Sequence, residues 1–241
     1  DKVLFTGDFL GCHYCEPEII DTKLESYDNY LKAMRSYFDF IFGPFKPYVI
    51  KGLDIIKKLD IDMICSSHGP VLTTSKTIGA AIDNYDKWAH ENNVDLTGVV
   101  PIFYVTAYGY TESIALAISE EIKAAGKKPI MINLTKYDPK EINPIALMNG
   151  CKQFCVGSPT INRNALQPVI ELIKWVDVIN SAKKKVLLFG SFGWSGEATV
   201  YIQKYLTAMG LDVYPELLKF QFKPSKENLA HVKEVTKDFL K

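Results

Sequence analysis

Residues 98–111 read Gly-Val-Val-Pro-Ile-Phe-Tyr-Val-Thr-Ala-Tyr-Gly-Tyr-Thr. An apolar, β-branched and aromatic run, Val99 to Val105, gives way to hydroxyls and one glycine. A helical pattern then opens at once, with Ile114, Ile118 and Ile122 recurring every fourth residue. Strand, tight loop and helix in that order make an anion site, because loop N–H groups and the first helical turn converge where the helix dipole favours negative charge. Thr106 and Thr111 flank the loop and can each donate a hydroxyl hydrogen bond, and Gly109 permits a positive φ or a close backbone approach. No Lys or Arg lies between Val99 and Ile122, so a phosphate would be held by neutral donors. That suits a nucleoside monophosphate better than a triphosphate.

Outward from this stretch the rhythm is regular. Strand Val99–Val105 leads to helix Thr111–Ala125, stopped by Gly126. Strand Pro129–Leu134 leads to a helix near Pro139–Met148, strand Gln153–Val156 to a helix over Ala165–Ile179, and strand Lys185–Phe189 to helix Glu197–Met209. A last strand at about Asp212–Phe220 precedes helix Ser225–Leu240. Five such β/α units predict an α/β fold with a doubly wound parallel sheet. Before it, a strand is expected over Lys2–Thr6, helices over Lys23–Phe42 and Pro47–Leu59, a strand over Ile61–Cys65 and a helix over Ile78–Asn92. The expected domains are 1–95 and 96–241.

Doubly wound sheets bind ligands beyond the carboxyl ends of their strands, at the switch in strand order. Three loops rich in glycine and hydroxyls are predicted to meet there. They are Thr106-Ala107-Tyr108-Gly109-Tyr110-Thr111, then Ser158-Pro159-Thr160-Ile161-Asn162 after Gly157, then Ser191-Phe192-Gly193-Trp194-Ser195-Gly196 after Gly190. A flat conjugated ligand needs small residues for backbone contact and an aromatic face for stacking. In one loop alone the glycines would only turn the chain; three at one edge point to flavin mononucleotide, FMN. A response-regulator domain shares the topology but needs acidic residues where the first strand here ends in Val105-Thr106.

Composition sets outer limits. The 241 residues are 47% hydrophobic, and 28 basic residues balance 28 acidic ones. Material for a core is ample, and no global charge calls for nucleic acid or a membrane surface. No apolar run approaches membrane-spanning length and no signal peptide is recognisable, so a reduced, cytoplasmic setting is expected. The five cysteines are odd in number and suggest no disulfide framework. The chain opens at Asp1 directly into a strand pattern, and a longer protein with an upstream segment is expected.

The three loops, as Thr-Ala-Tyr-Gly-Tyr-Thr, Gly-Ser-Pro-Thr-Ile-Asn and Gly-Ser-Phe-Gly-Trp-Ser-Gly-Glu-Ala, resemble the FMN loops of flavodiiron proteins. Phe5-Thr6-Gly7-Asp8-Phe9-Leu10-Gly11 and Cys65-Ser66-Ser67-His68-Gly69-Pro70 look like two metal-ligand segments of that family's metallo-β-lactamase-like domain. The resemblance covers essentially the whole chain. It implies a flavodoxin-like domain preceded by a partial metallo-β-lactamase-like segment, and an enzyme passing electrons from FMN to a non-haem diiron centre that reduces oxygen or nitric oxide. Asp8 would be the carboxylate bridging two irons and His68 an imidazole ligand to one. The family's other ligands, a His-x-Glu-x-Asp-His motif and a further histidine, lie upstream of a segment like Phe5–Gly11, so an absent amino-terminal half is implied. Also implied are a homo-oligomer and an electron donor that is a rubredoxin-like redox protein or a reduced cofactor.

Simpler roles stand beside these. Asp8 could cap a turn and His68 could be a hydrogen-bonded loop residue. Cys12-x-x-Cys15 has redox or zinc spacing, but without a second pair a structural or incidental role is favoured. His13 and His90 carry no mark of catalysis, the aromatic stripe from Tyr27 to Phe38 reads as helix core, and Lys183-Lys184-Lys185 as a solvated turn. Two alternative functions are a flavodoxin-like electron carrier without a metal site, and a flavin-dependent reductase of a small molecule.

Overall fold

The computed structural model describes residues 2–91 and 96–241. The chain divides into two units, Asp1–Asn93 and Val94–Lys241. The last residue of the expected helix Ile78–Asn92 lies outside the described residues.

In the second unit, β3 (Val99–Tyr104), β4 (Lys128–Asn133), β5 (Gln153–Gly157) and β6 (Lys185–Phe192) form a parallel sheet in the order β4-β3-β5-β6. Two short strands, β7 (Asp212–Val213) and β8 (Leu218–Gln221), both pair with β6 and fill the fifth position. This is the flavodoxin-like, doubly wound order. The apolar run that announced β3 is buried from Val100 onward because both sheet faces are covered. Its residues divide by the strand's period of two. Val100, Ile102 and Tyr104 pack with Ile114, Ile118 and Ile122 of α4 (Tyr110–Ala124) and with Val232 and Phe239 of α8 (Lys226–Phe239). Phe103 and Val105 face the opposite core, with Met148 of α5 (Pro144–Gly150), Val169 and Ile173 of α6 (Gln167–Ile173), and Ile202 and Leu206 of α7 (Glu197–Ala208).

Five expectations need correction here. The helix near Pro139–Met148 begins only at Pro144, because the Asp138 carboxylate accepts the Lys140 N–H (2.8 Å) in a turn and Asn143 caps the Ala146 N–H (3.0 Å). The helix over Ala165–Ile179 shrinks to Gln167–Ile173, since Asp177 draws the Ile179 and Asn180 N–H groups into a turn of its own (3.0 and 3.2 Å). The strand Asp212–Phe220 splits around Pro215, which has no N–H for the ladder. Lys184 is buried, not solvated: its ammonium donates to the backbone carbonyls of Met148 (3.3 Å) and Asn149 at the end of α5, and burial lowers its pKa. The strand expected over Lys185–Phe189 also runs on to Phe192, pairing with β8.

In the first unit, β1 (Val3–Gly7) and β2 (Met63–Ser66) form a two-stranded parallel sheet. Around it pack α1 (Tyr27–Tyr37), α2 (Lys46–Ile56) and α3 (Ser75–His90). The long helix expected from Lys23 starts at Tyr27, where Ser26 accepts the Asn29 N–H, and Phe38–Phe42 widens into a π-helical turn. The aromatic stripe supplies core: Tyr30, Met34, Tyr37 and Phe38 are buried, with the Phe38 and Tyr85 rings edge to face at 5.0 Å. Phe5 of β1 is 79% exposed, and among the described residues β1 pairs only with β2. All five cysteines are free thiols, and no described helix is long and apolar enough to cross a membrane.

Candidate functional site

Beyond the carboxyl ends of β3, β5 and β6 lies a cavity of about 670 Å³ lined by all three glycine- and hydroxyl-rich loops. Ala107, Tyr108 and Tyr110 come from the first, Pro159 to Arg163 from the second and Ser191 to Ser195 from the third. The switch in strand order lies between β3 and β5, whose following strands β4 and β6 lie on opposite sides of the pair. Two aromatics project freely at its mouth, Tyr108 at 83% and Trp194 at 97% exposure. Large apolar rings left in water are surface that a flat ligand would cover.

The remaining loop residues hold the walls in place. Gly109 sits at the N-cap of α4 with φ +80°, a left-handed value that side chains resist, and a Cβ there would meet no protein atom. Thr111 is buried and shares a hydroxyl hydrogen bond with Ser191 (2.9 Å), tying the first loop to the third. The Ser158 hydroxyl accepts the Leu166 N–H (2.9 Å) and donates to the Pro159 carbonyl (2.8 Å). The Thr160 N–H donates to the Ser191 carbonyl (2.8 Å), and Thr160 Oγ1 accepts the Ala198 N–H (3.2 Å), tying the second loop to the start of α7 behind its N-cap Gly196. At Gly190 the strands approach so closely that a Cβ would stand 2.2 Å from the Ser158 carbonyl oxygen.

Two polar atoms in this framework are unserved, Glu197 Oε2 at the start of α7 and Thr106 Oγ1. Thr106 Oγ1, at the root of the first loop, is buried with no hydrogen-bond partner. The first N–H groups of α4 also have no partner within the helix, as at any helix start. An orphan hydroxyl and a helix N-terminus beside an open glycine fit a small anion. The aromatic loops of the same cavity fit a planar ring, and together they fit a flavin monophosphate.

Two lining residues were not legible. Arg163 follows Asn162 in a two-residue turn closed by reciprocal Ile161–Asn164 backbone bonds (3.1 and 3.0 Å), with φ +50° and +58° at the two central residues. Asn invites such a turn but Arg does not. Phe222 arrives from the end of β8, where its N–H donates to the Phe192 carbonyl (2.8 Å) and Gln221 donates to the Gly193 carbonyl (2.8 Å).

In the first unit, Asp8 and His68 follow the ends of the adjacent strands β1 and β2, and Asp8 Oδ1 stands 3.4 Å from His68 Nε2. His13, unmarked in the sequence, joins them: its ring lies 5.4 Å from that of His68 and 4.7 Å from that of Tyr37. His13 and His68 line a separate cavity of about 440 Å³ with Cys12, Cys15 and Glu16. Burial pushes the Cys12 thiol up to about 12, which makes it a poor metal or redox sulfur. Among the described residues no group of three or more His, Cys, Asp or Glu could hold a metal.

Fold and cavity define the class: residues 102–234, more than half the chain, match the flavodoxin family, and the chain belongs to it. Over its full length it is similar to flavodiiron proteins. It is 41% identical over 243 residues to "Flavo-diiron protein FprA2" of Clostridium acetobutylicum, covering all of this chain and 60% of that protein. The solved flavodiiron protein of Giardia intestinalis aligns with a TM-score of 0.61 at 25% identity, over 99% of this chain and 58% of that one. A flavodoxin from the domain Archaea aligns with a TM-score of 0.52 at 25% identity, over 58% of this chain and 95% of its own. The chain thus spans about three fifths of the flavodiiron relatives it matches.

Proposed function

We propose that residues 96–241 bind FMN and that residues 1–95 are the carboxyl-terminal part of a metallo-β-lactamase-like diiron domain. The whole would be a cytoplasmic, homo-oligomeric flavodiiron oxidoreductase that reduces oxygen to water or nitric oxide to nitrous oxide, fed by a rubredoxin-like protein or a reduced cofactor. The observation carrying this reading is the convergence of three loops on one cavity, with an unpaired hydroxyl, that of Thr106, at the root of the first of them. The full-length similarity to a flavodiiron protein supports the larger assignment.

Bound FMN would supply an electron relay able to take up and release one or two electrons. The chain's part is to hold it. Thr106, Gly109 and the first turn of α4 would grip the phosphate with neutral donors, and Tyr108, Phe192 and Trp194 would cover the ring. Asp8 and His68 would contribute two of the iron ligands, the others coming from upstream sequence. Exposed Phe5 on β1 supports the same view, since parallel strands are ordinarily covered and flanked.

The test is cofactor and metal analysis of the full-length protein. It should release FMN on denaturation and contain two irons per flavin, and Asp8→Ala should abolish the iron while leaving the flavin. Iron content indifferent to Asp8 and His68 would overturn the metal assignment. An FMN protein with no iron would favour the electron-carrier reading, to which the alignment over 95% of an archaeal flavodoxin gives independent support.

A further inference from the structure

We propose that Arg163 raises the reduction potential of the flavin, acting as a fixed cation beside its ring; this rests on the FMN reading above. Among the side chains lining the 670 Å³ cavity, Arg163 alone carries charge. Its side chain is 84% exposed, and its nearest counter-charge is Glu197, with Arg163 Nε 3.5 Å from Oε1. Glu197 divides its charge: the Ser195 hydroxyl, its own backbone N–H, Arg163 and Lys219 all hold its carboxyl below the usual range. Arg163 therefore lines the cavity with its charge only partly answered, by a single contact to a carboxylate it shares with Lys219.

The backbone points the same way. Arg163 occupies the second central position of its turn at φ +58°, where glycine is the residue of lowest cost. A side chain kept in a strained conformation at a ligand cavity suggests a use for that side chain. Phosphate binding is not that use, because the anion-binding features belong to the first loop and Arg163 belongs to the second. Arg163 neighbours Ile161 and Asn162, across from the aromatic third loop that suits the ring.

The chemistry follows from charge. At neutral pH the oxidised ring is neutral, and two electrons with one proton convert it to a monoanion. A nearby cation favours that product over the reactant and moves the couple upward. For an exposed cation a few ångströms away the preference is about fivefold to tenfold, and tenfold in a two-electron couple is about 30 mV.

The experiment is a redox titration of the full-length, FMN-loaded protein with dithionite and mediator dyes, after measuring the affinity for oxidised FMN. Arg163→Gln and Arg163→Gly should each shift the reduced-to-oxidised preference down by up to tenfold. Arg163→Lys should stay near the wild type, and 1 M salt should shrink the gap between wild type and Arg163→Gln. An unchanged potential in Arg163→Gln would overturn the proposal, as would a lysine variant that falls as far as the glutamine one. So would a glycine variant unlike the glutamine one, which would assign the effect to the turn. Failure of the wild type to bind FMN would sink the flavin reading itself, and that result is visible before any variant is titrated.

Discussion

The Asp8–His68 corner and the three-loop cavity use one device, parallel strands that deliver functional residues from their carboxyl ends. They differ in how many strand ends take part. Two strands bring together one carboxylate and one imidazole, 3.4 Å apart, with a strand face still open to water. A sheet with five strand positions brings three loops around 670 Å³ and leaves one orphan hydroxyl and two bare rings for a ligand. A binding site is a property of enough converging strand ends, not of any single motif.

The largest expected effect tests whether the two regions are independent. Phe38 is wholly buried in the aromatic core of the first unit. Phe38→Ala should destabilise that unit by about 3–5 kcal/mol. Calorimetry should show one transition falling while FMN affinity stays within twofold, and a parallel loss of flavin would break the comparison.

A buried thiol in the second unit makes its stability depend on pH. Burial raises Cys151 from 9.0 to about 11. Below pH 9 both folded and unfolded chains keep the proton and nothing changes. Between pH 9 and 11 the unfolded chain releases a proton that the fold retains, so stability falls as pH rises, by roughly 2–3 kcal/mol in all. Chemical denaturation at pH 8, 9, 10 and 11 should show that slope lessened in Cys151→Ala; identical slopes would refute it.

Backbone strain sets the next magnitude. Gly109→Val places a β-branched residue at φ +80° and should weaken FMN binding by about 1–2 kcal/mol, or fivefold to thirtyfold. Flavin fluorescence titration reads this directly, and full affinity in the variant would remove the first loop from the phosphate site. Trp194→Ala should cost least, roughly 1 kcal/mol of affinity, with brighter flavin emission. If both readings stay put, the contact passes to Tyr108, Tyr110 or Phe192.

Much of this was legible in local pattern. The 98–111 stretch carried strand, loop and helix start together, and the alternating units implied the sheet because each apolar run was long enough to be buried on both faces. The misplaced elements were those where short-range side-chain bonds compete with helix, as at Asp138 and Asp177, or where a proline breaks a ladder, as at Pro215. Lys184 misled because its charge reads as solvent-facing, while its long stem carries the ammonium to two carbonyls some 35 residues away. His13 was hidden for the same reason: its nearness to His68 spans 55 positions of chain.

The sequence by itself determined the order of elements, the three loops and the residues at their tips, because periodicity, glycine and hydroxyl content act within a few residues. Only the tertiary structure decided which atoms were spoken for. Thr111 and Ser158 proved to be bound within the walls, Thr106 was left without a partner, and Arg163 and Phe222 were carried into the cavity by a left-handed turn and by the clip between β8 and the third loop. Hydrogen-bond satisfaction and burial depend on neighbours distant along the chain, and those are fixed only when the sheet closes.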